Sequence, residues 1–158
     1  MLRYIEDYNA SIDSSNRRIV TSVEIEKMRP NLKKLFGLTD YTFVSKDYAQ
    51  FQGYSSKETA ADCFVKLCRQ SATLICPWDV EGTIATVQGG ATYTTPIFAP
   101  VKVVDTLGAG DTFVASTIFS LYTGHTLQEA IIFGSKVAGT KCGMHGFERI
   151  REDFGKKL

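Results

Sequence analysis

The feature that most constrains this sequence is the run Gly-Ala-Gly-Asp at residues 108–111, which lies between a short apolar run and a helical pattern. Three small residues there predict a tight turn from a strand into a helix, with the backbone N–H groups of Gly108, Ala109 and Gly110 unpaired. The positive end of the helix dipole lies behind these groups. We therefore expect an anion site that a phosphate group can approach closely.

Asp111 follows these amides in the first turn of the predicted helix. A carboxylate beside a phosphate would repel it, so this residue needs a task of its own, and accepting a proton from a substrate hydroxyl is one. The alternative is that the glycines form only a turn and that Asp111 complements the helix dipole as a first-turn acid. The residues alone leave both interpretations open.

Composition limits the class of protein. At 158 residues the chain is long enough for a substantial core, and we expect a single domain over residues 1–158. A hydrophobic content of 44% with 22% charged residues is ordinary for a globular protein and does not indicate disorder. The 18 basic residues are scattered and balanced by 17 acidic ones, which argues against nucleic-acid binding and leaves a small anionic ligand compatible with the chain.

The cysteines and the first residues indicate the compartment. Four cysteines show neither Cys-x-x-Cys spacing nor the density of a disulfide scaffold, and only two histidines could join a metal site. Arg3, Glu6 and Asp7 interrupt the start of the chain, so no signal peptide is predicted. No apolar run approaches the roughly 20 residues of a membrane span. We expect reduced thiols and a cytoplasmic location.

Hydrophobic periodicity predicts strands that alternate with helices. Helices are predicted at residues 1–9, 27–36 and 111–122, and after two capping boxes, Ser55 with Glu58 and Thr126 with Glu129. Strands are predicted at residues 19–25, 41–44, 72–76, 83–87, 91–95 and 101–104, with a hairpin turn at Gly89-Gly90. A polar loop at 10–18 and a charged tail at 149–158 complete the chain. The pattern predicts an α/β fold, a three-layer α-β-α sandwich with a mainly parallel sheet and a β-hairpin.

Apolar stripes predict which face of each helix is buried. The stripes consist of Ala61, Phe64, Val65 and Cys68; of Val114, Ile118, Leu121 and Tyr122; and of Leu127, Ala130, Ile131, Gly134, Val137 and Ala138. Beside the last stripe, four small residues repeat at helical spacing, namely Ser135, Ala138, Gly139 and Cys142. This strip of small residues favours either a surface for a flat ring or close packing between elements.

Two stretches carry a resemblance to a known family. Residues 105–113, Asp-Thr-Leu-Gly-Ala-Gly-Asp-Thr-Phe, resemble the signature of the ribokinase-like sugar kinases of the PfkB family. Residues 134–147, Gly-Ser-Lys-Val-Ala-Gly-Thr-Lys-Cys-Gly-Met-His-Gly-Phe, narrow the resemblance to the ketohexokinase, or fructokinase, branch of that family. The chain is similar to the carboxy-terminal half of such enzymes and starts where they have a mid-chain helix, so we expect a partial chain.

The resemblance implies an activity and the residues that perform it. It implies ATP-dependent phosphorylation of the 1-hydroxyl of D-fructose, with Asp111 as general base and Gly108, Ala109 and Gly110 as the anion hole. The implied nucleotide-binding residues are Trp78, Asp79, Gly82, Phe98, Pro100, Thr106, Gly108, Gly110, Phe113, Ser135, Ala138, Gly139 and Cys142. For Trp78, a packed position in the core is the alternative.

Magnesium is expected to bind mainly through ATP, with no metal ligand assigned to the chain. Many family members carry Asn-x-x-Glu where this sequence has Ser-Lys-Asp-Tyr at residues 45–48, which argues against direct magnesium binding there. Glu24, at a strand end, fits either a magnesium ligand or, as we favour, a solvated strand face. Lys141 and His145 receive no role.

The resemblance also implies what the chain lacks. In the family the sugar-holding residues lie in the amino-terminal half, so no sugar ligand is named here, and an exposed strand edge and apolar face are expected. We therefore expect a homo-oligomer or a partner chain, with neither nucleic acid nor membrane as partner. Two other functions stay open, a PfkB kinase for ribose or a nucleoside and a truncated, inactive nucleotide-binding module that acts through a partner.

Overall fold

The computed structural model describes residues 1–13, 18–148 and 150. The centre of the predicted polar loop and almost all of the predicted charged tail lie outside the described residues. The helices are α1 (Leu2–Ser11), α2 (Lys46–Phe51), α3 (Lys57–Phe64), α4 (Ala109–Tyr122) and α5 (Leu127–Cys142), with 3-10 segments at Pro30–Leu38, Val65–Leu67 and Asp79–Glu81. The strands are β1 (Ser22–Ile25), β2 (Tyr41–Val44), β3 (Thr73–Pro77), β4 (Thr83–Val87) and β5 (Thr92–Thr95).

The five strands form a sheet in chain order, β1-β2-β3-β4-β5. β1 pairs with β2 and β2 with β3 in parallel, with Ser22 opposite Tyr41 and Tyr41 opposite Thr73. β4 and β5 follow through tight turns, which antiparallel neighbours allow and parallel ones do not. The predicted turn at Gly89-Gly90 is present, and Gly89 adopts the positive φ of 76° that such a turn requires.

The chain divides into two compact units. The first consists of residues 1–77 and 84–92, and the second of residues 78–83 and 93–158. Every residue predicted above for catalysis or nucleotide binding belongs to the second unit.

The first unit has its core between the parallel strands and α3. The inner residues of β2 and β3 are buried along their whole length, as continuous apolar runs in parallel sheets are. The Phe64 ring of α3 packs on three others, with centroids 5.2 Å from Phe36, 5.9 Å from Tyr48 and 4.9 Å from Tyr54. The predicted buried stripe of this helix, Ala61, Phe64, Val65 and Cys68, is confirmed.

Several local predictions for the first unit are wrong in detail. The cap of α3 is Ser56, whose hydroxyl accepts from the Thr59 amide, and not Ser55. β1 starts three residues later than predicted, and the 27–36 helix is a 3-10 segment that runs through Gly37 to Leu38. Residues 45–48 open an unpredicted helix, α2, because the Ser45 hydroxyl accepts from the Tyr48 amide at 3.1 Å.

The second unit contains the helix pair α4 and α5. The capping box at the start of α5 is confirmed in full, since Thr126 and Glu129 bond to each other's backbone amides. Its inward stripe is confirmed at Ala130, Ile131, Gly134 and Val137, which are buried. A Cβ on Gly134 would overlap the Thr117 hydroxyl of α4, so the two helices pack closely there.

The predicted inward face of α4 is wrong. The buried residues are Thr112, Phe113, Thr117 and Ser120, whereas Tyr122 is 89% exposed and Ile118 is also exposed. Gly134 of α5 faces Thr117 of α4, so the side of α4 that meets α5 there carries a small side chain. α4 also buries Phe113, whereas its apolar residues Ile118 and Phe119 are exposed.

Within the described part of the chain, none of the helices combines the length and the apolar character needed to cross a bilayer.

Asp40 connects the starts of three strands in the first unit. Its carboxylate accepts from Arg18 Nη2 at 2.6 Å, from the Thr21 amide at 2.8 Å and from the Thr21 hydroxyl at 2.9 Å, and Arg69 also bonds to it. Its backbone carbonyl accepts from the Thr73 amide at 2.7 Å. Burial alone would raise the pKa of Asp40, but the bonds from Arg18 and Thr21 and the charge of Arg69 outweigh it and lower the pKa.

We expect Asp40→Asn to lower the free energy of unfolding by about 2 kcal/mol at pH 7, the typical worth of a hydrogen bond to a charged group. A carboxyl whose pKa is lowered by folding stabilises the fold above its unfolded pKa of about 3.9, and the contribution is lost as pH falls through the folded value. Urea unfolding, followed by circular dichroism at several pH values, should show the gap between the two proteins narrowing below about pH 4.

Asp62→Asn is the control, because Asp62 is an exposed carboxylate on α3 in the same unit. This variant should unfold like the wild type throughout. A gap for Asp40→Asn that stays constant from neutral to acidic pH would contradict the assignment.

Candidate functional site

Gly108 shapes the turn that the sequence places at the centre of the site. It is the N-cap of α4, in the left-handed region at φ 76° and ψ 11°. A Cβ at this position would lie 2.6 Å from Cζ of Phe147. The backbone conformation therefore favours glycine, and a Cβ would also force the exposed Phe147 ring to move.

The amides of the turn differ from the prediction. α4 begins at Ala109, two residues before the predicted start, and the Ala109 amide donates to the Thr106 carbonyl at 3.1 Å. It is therefore not free. The amides of Gly108, Gly110 and Asp111 have no hydrogen-bond acceptor among the described residues. Three unpaired N–H groups thus remain at the helix start, the last of them from Asp111 itself.

The Asp111 side chain is exposed in the first turn of α4. Among residues 1–13, 18–148 and 150, none forms a hydrogen bond or ion pair with its carboxylate. A carboxylate that neutralised a neighbouring side chain would be unavailable as a base. The geometry therefore leaves Asp111 able to accept a proton.

Asp105 and Lys141 form a contact that sequence reasoning missed. Lys141 is completely buried, and its Nζ lies 2.7 Å from Oδ2 and 2.8 Å from the backbone carbonyl oxygen of Asp105. The other carboxylate oxygen, Oδ1, accepts from the Leu107 amide at 2.9 Å. The bond from Lys141, followed by those from the amides of Leu107 and Gly146, lowers the pKa of Asp105. The signal in the sequence was the spacing of Lys141, which lies seven residues after Gly134 and four after Val137, in the inward register of α5.

The segment 98–105 runs beside the last turns of α5. Its amides at Val104 and Asp105 donate to the Cys142 carbonyl, at 2.8 and 3.2 Å. The strand predicted at residues 101–104 is therefore wrong, because the Val104 amide, expected to pair in a sheet, caps the end of a helix instead. A Cβ on Gly143 would lie 3.0 Å from the Pro100 ring, so the contact is close along its length.

The strip of small residues on α5 contacts the chain itself at two positions. A Cβ on Gly139 would overlap the Phe98 carbonyl, which means that the backbone of that segment packs directly on the helix. The Ser135 hydroxyl lies 3.2 Å from that of Thr95. Close packing, one of the two interpretations of the strip, therefore applies at Gly139. The use of Ser135, Ala138 and Cys142 as a wall for a flat ring stays a prediction.

The loop that begins at Trp78 is held in a tight turn. Trp78 is 1% exposed, and its amide donates to the Gly82 carbonyl at 2.7 Å. Asp79 has a positive φ of 48° and Gly82 one of 80°. The Thr95 carbonyl oxygen lies where a Cβ of residue 82 would be, so a side chain does not fit there. Because its indole is packed inside, Trp78 offers backbone rather than its ring to a ligand on the surface.

The remaining predicted residues lie in the same unit. Thr106 is exposed and supplies the carbonyl of the turn, whereas Phe113 is buried in α4. Phe98 is half-buried, and Lys136 Nζ lies 5.4 Å from its ring centroid. The sequence had not singled out Lys136. His145 is exposed and receives no role.

Gly108→Ala should lower the free energy of unfolding of the second unit by more than the cost of placing alanine in the left-handed conformation. Forcing alanine into the left-handed region costs about 1–2 kcal/mol. Displacing the exposed Phe147 ring from its rotamer adds about 0.5–1.5 kcal/mol. Gly124→Ala is the matched control, since Gly124 has a φ of 92° with open space around it. Urea unfolding followed by the fluorescence of Trp78, the single tryptophan, measures both variants.

Adding Phe147→Ala should remove the steric part of the cost. The effect of Gly108→Ala in that background should fall to the value found for Gly124→Ala. Equal costs for Gly108→Ala and Gly124→Ala in the unaltered chain would show that the ring does not constrain the turn.

Comparison with known proteins identifies the family. Residues 4–151 match the sequence pattern of the pfkB family carbohydrate kinases. Ketohexokinase of Mus musculus is 45% identical over 95% of this chain and 50% of its own length. Fructoselysine 6-kinase of Escherichia coli is 35% identical over 51% of this chain and 30% of its own length. The chain thus spans half the length, or less, of these two relatives.

Solved structures confirm the fold. Arabidopsis thaliana ribokinase, complexed with ribose and ATP, matches 92% of this chain and 46% of its own with a TM-score of 0.75 at 18% identity. Thermotoga maritima ribokinase matches 90% of this chain and 50% of its own with a TM-score of 0.69 at 23% identity. The expected ribokinase-like α/β fold is therefore confirmed, as is the resemblance to ketohexokinase. The chain belongs to the pfkB family of carbohydrate kinases.

Proposed function

We propose that this chain carries the nucleotide-binding and phosphoryl-transfer site of an ATP-dependent sugar kinase. The observation that carries the proposal is the first turn of α4, where an exposed carboxylate without a described partner adjoins unpaired amides. Family membership supplies the reaction class. Phosphoryl transfer needs little covalent chemistry from a protein and depends on positioning and charge stabilisation, which these groups suit.

Asp111 is the general base, which accepts the proton of the attacking sugar hydroxyl. A positioned base contributes roughly 100- to 10,000-fold to such a step. The free amides of Gly108 and Gly110 stabilise negative charge on the transferring phosphoryl group, and an aimed donor in an anion hole is worth about 3 kcal/mol. Ala109 contributes by its small size, since its own amide bonds to Thr106.

The second unit also suits a nucleotide. Gly110 is exposed, with no atom within 4 Å of the position that a Cβ would take, so the turn is open to a phosphate on that side. The loop at Asp79 and Gly82, the segment with Phe98, Pro100 and Thr106, and the small residues of α5 are the groups that would hold ATP. ATP supplies the phosphoryl group, and magnesium bound through its phosphates neutralises their charge. No magnesium ligand is assigned to the chain.

The 1-hydroxyl of D-fructose is the acceptor that we propose, on the 45% identity to mouse ketohexokinase. No residue of this chain is assigned as a fructose ligand. We propose that the sugar site includes residues beyond this sequence, which spans half the length of mouse ketohexokinase.

Asp111→Asn should lower turnover by roughly 100- to 10,000-fold and leave the ATP dissociation constant within about twofold. The amide is nearly isosteric with the carboxylate and cannot take the proton. ADP release from Mg-ATP with and without D-fructose measures turnover, and calorimetry measures ATP binding. Asp62→Asn, an exposed change outside the proposed site, should retain full turnover. Near-normal turnover by Asp111→Asn would refute its role.

A second function, a nucleotide-binding module that acts through a partner, is favoured by one observation. Ser45 caps α2 through its hydroxyl, in the stretch where many family members carry magnesium-organising residues. ATP binding without ADP release in the presence of fructose, ribose or adenosine would identify this module. Release with ribose or adenosine alone would instead identify another acceptor.

A further inference from the structure

Lys141 is a buried charge that the proposed mechanism does not use. Taking an ammonium group out of water costs several kcal/mol unless it is paired and hydrogen-bonded. Both described acceptors of Lys141 Nζ belong to one residue, the carboxylate and the backbone carbonyl of Asp105. If this position only filled space in α5, a methionine would fill it without the free-energy cost of burying a charge. The buried charge therefore indicates a specific role.

Asp105 connects α5 to the turn at Gly108 through hydrogen bonds. It stands three residues before Gly108, and its Oδ1 holds the Leu107 amide while Oδ2 holds Lys141. The Gly146 amide also donates to this carboxylate. One side chain thus ties the buried helix, the loop that follows it and the residue just before the turn.

A second contact joins the same groups through an aromatic ring. Lys141 Nζ lies 5.4 Å from the centroid of Phe147, within cation–π range. The same ring covers Gly108 at the position of its missing Cβ. The ammonium is therefore linked to the turn from two sides, through Asp105 and through Phe147.

We propose that Lys141 is a positioning residue that holds the amides of Gly108 and Gly110 in the arrangement that binds the phosphates of ATP. The inference rests on the proposed function and goes beyond it. Lys141 touches neither nucleotide nor sugar, and it acts through Asp105 and the turn. Without the ammonium, the Asp105 carboxylate loses the partner that fixes it to α5. Residues 105–108 are then no longer held in place against the helix.

The first test compares ATP with adenosine as probes of the same protein by calorimetry. Lys141→Met should weaken ATP binding at least tenfold and adenosine binding by less than twofold, because only ATP reaches the turn. Lys66→Met is the matched control, since Lys66 is an exposed lysine of the first unit, and it should change neither. Equal losses for the two probes, or no loss for ATP, would overturn the proposal.

The double variant Asp105→Asn/Lys141→Met separates positioning from charge balance. It leaves no unpaired carboxylate, and the Asn oxygen can still accept from the Leu107 amide, so its urea midpoint should return toward that of the wild type. Its ATP affinity should remain at least tenfold low. Recovery of ATP affinity together with stability would show that Lys141 serves only to neutralise Asp105, against the proposal. The double variant also serves if Lys141→Met alone does not fold.

Amide hydrogen exchange, measured by NMR without nucleotide, is independent of the proposed function. The Ala109 amide, which bonds to Thr106, should exchange at least tenfold faster in the double variant than in Lys66→Met, while the Thr117 amide of α4 is unchanged. Unchanged exchange at Ala109 would overturn the proposal. If the wild type binds no ATP, the proposed function fails, and the exchange rates alone decide the role of Lys141.

Discussion

The buried ammonium of Lys141 is the constraint on which the second unit depends. A charge at full burial has to be paired, and the carboxylate that pairs with it comes from a residue 36 positions earlier in the chain. Residues 98–105 must therefore reach the end of α5, where their amides satisfy the Cys142 carbonyl and their backbone packs on Gly139. One electrostatic requirement thus fixes the course of the segment that leads into the turn.

The turn itself results from small side chains at places where larger ones would collide. Gly108 faces the Phe147 ring, Gly134 faces the Thr117 hydroxyl, and Gly139 faces the Phe98 carbonyl. Each glycine lets two segments of the second unit pack closely, at the cost of the larger conformational freedom that glycine loses on folding. Since Gly108 itself packs against the Phe147 ring, the proposed anion site depends on tertiary packing as well as on the local motif.

Features determined by neighbouring residues could be predicted from the sequence. The strand Tyr41–Val44, the capping box of Thr126 with Glu129 and the buried stripe of α3 follow from local patterns, and the structure reproduces them. The failures have distant causes. Residues 101–104 look like a strand, but the end of α5 takes the Val104 amide, and the inward face of α4 packs against a glycine on another helix. Lys141 had no visible partner because its partner is far away in sequence.

The candidate site shows the same division between local and distant causes. Gly108, Gly110 and Asp111 are adjacent in sequence, so the motif alone places an anion site beside a carboxylate, although it does not reveal that the Ala109 amide is taken by Thr106. On the proposed function, charge stabilisation and proton transfer are properties of one helix start. Positioning of a sugar hydroxyl is not a property of the helix start, because it requires groups that hold the sugar from the side opposite Asp111. ATP affinity consequently depends on the turn and on the other proposed nucleotide-binding segments, whereas turnover depends on the acceptor site as well.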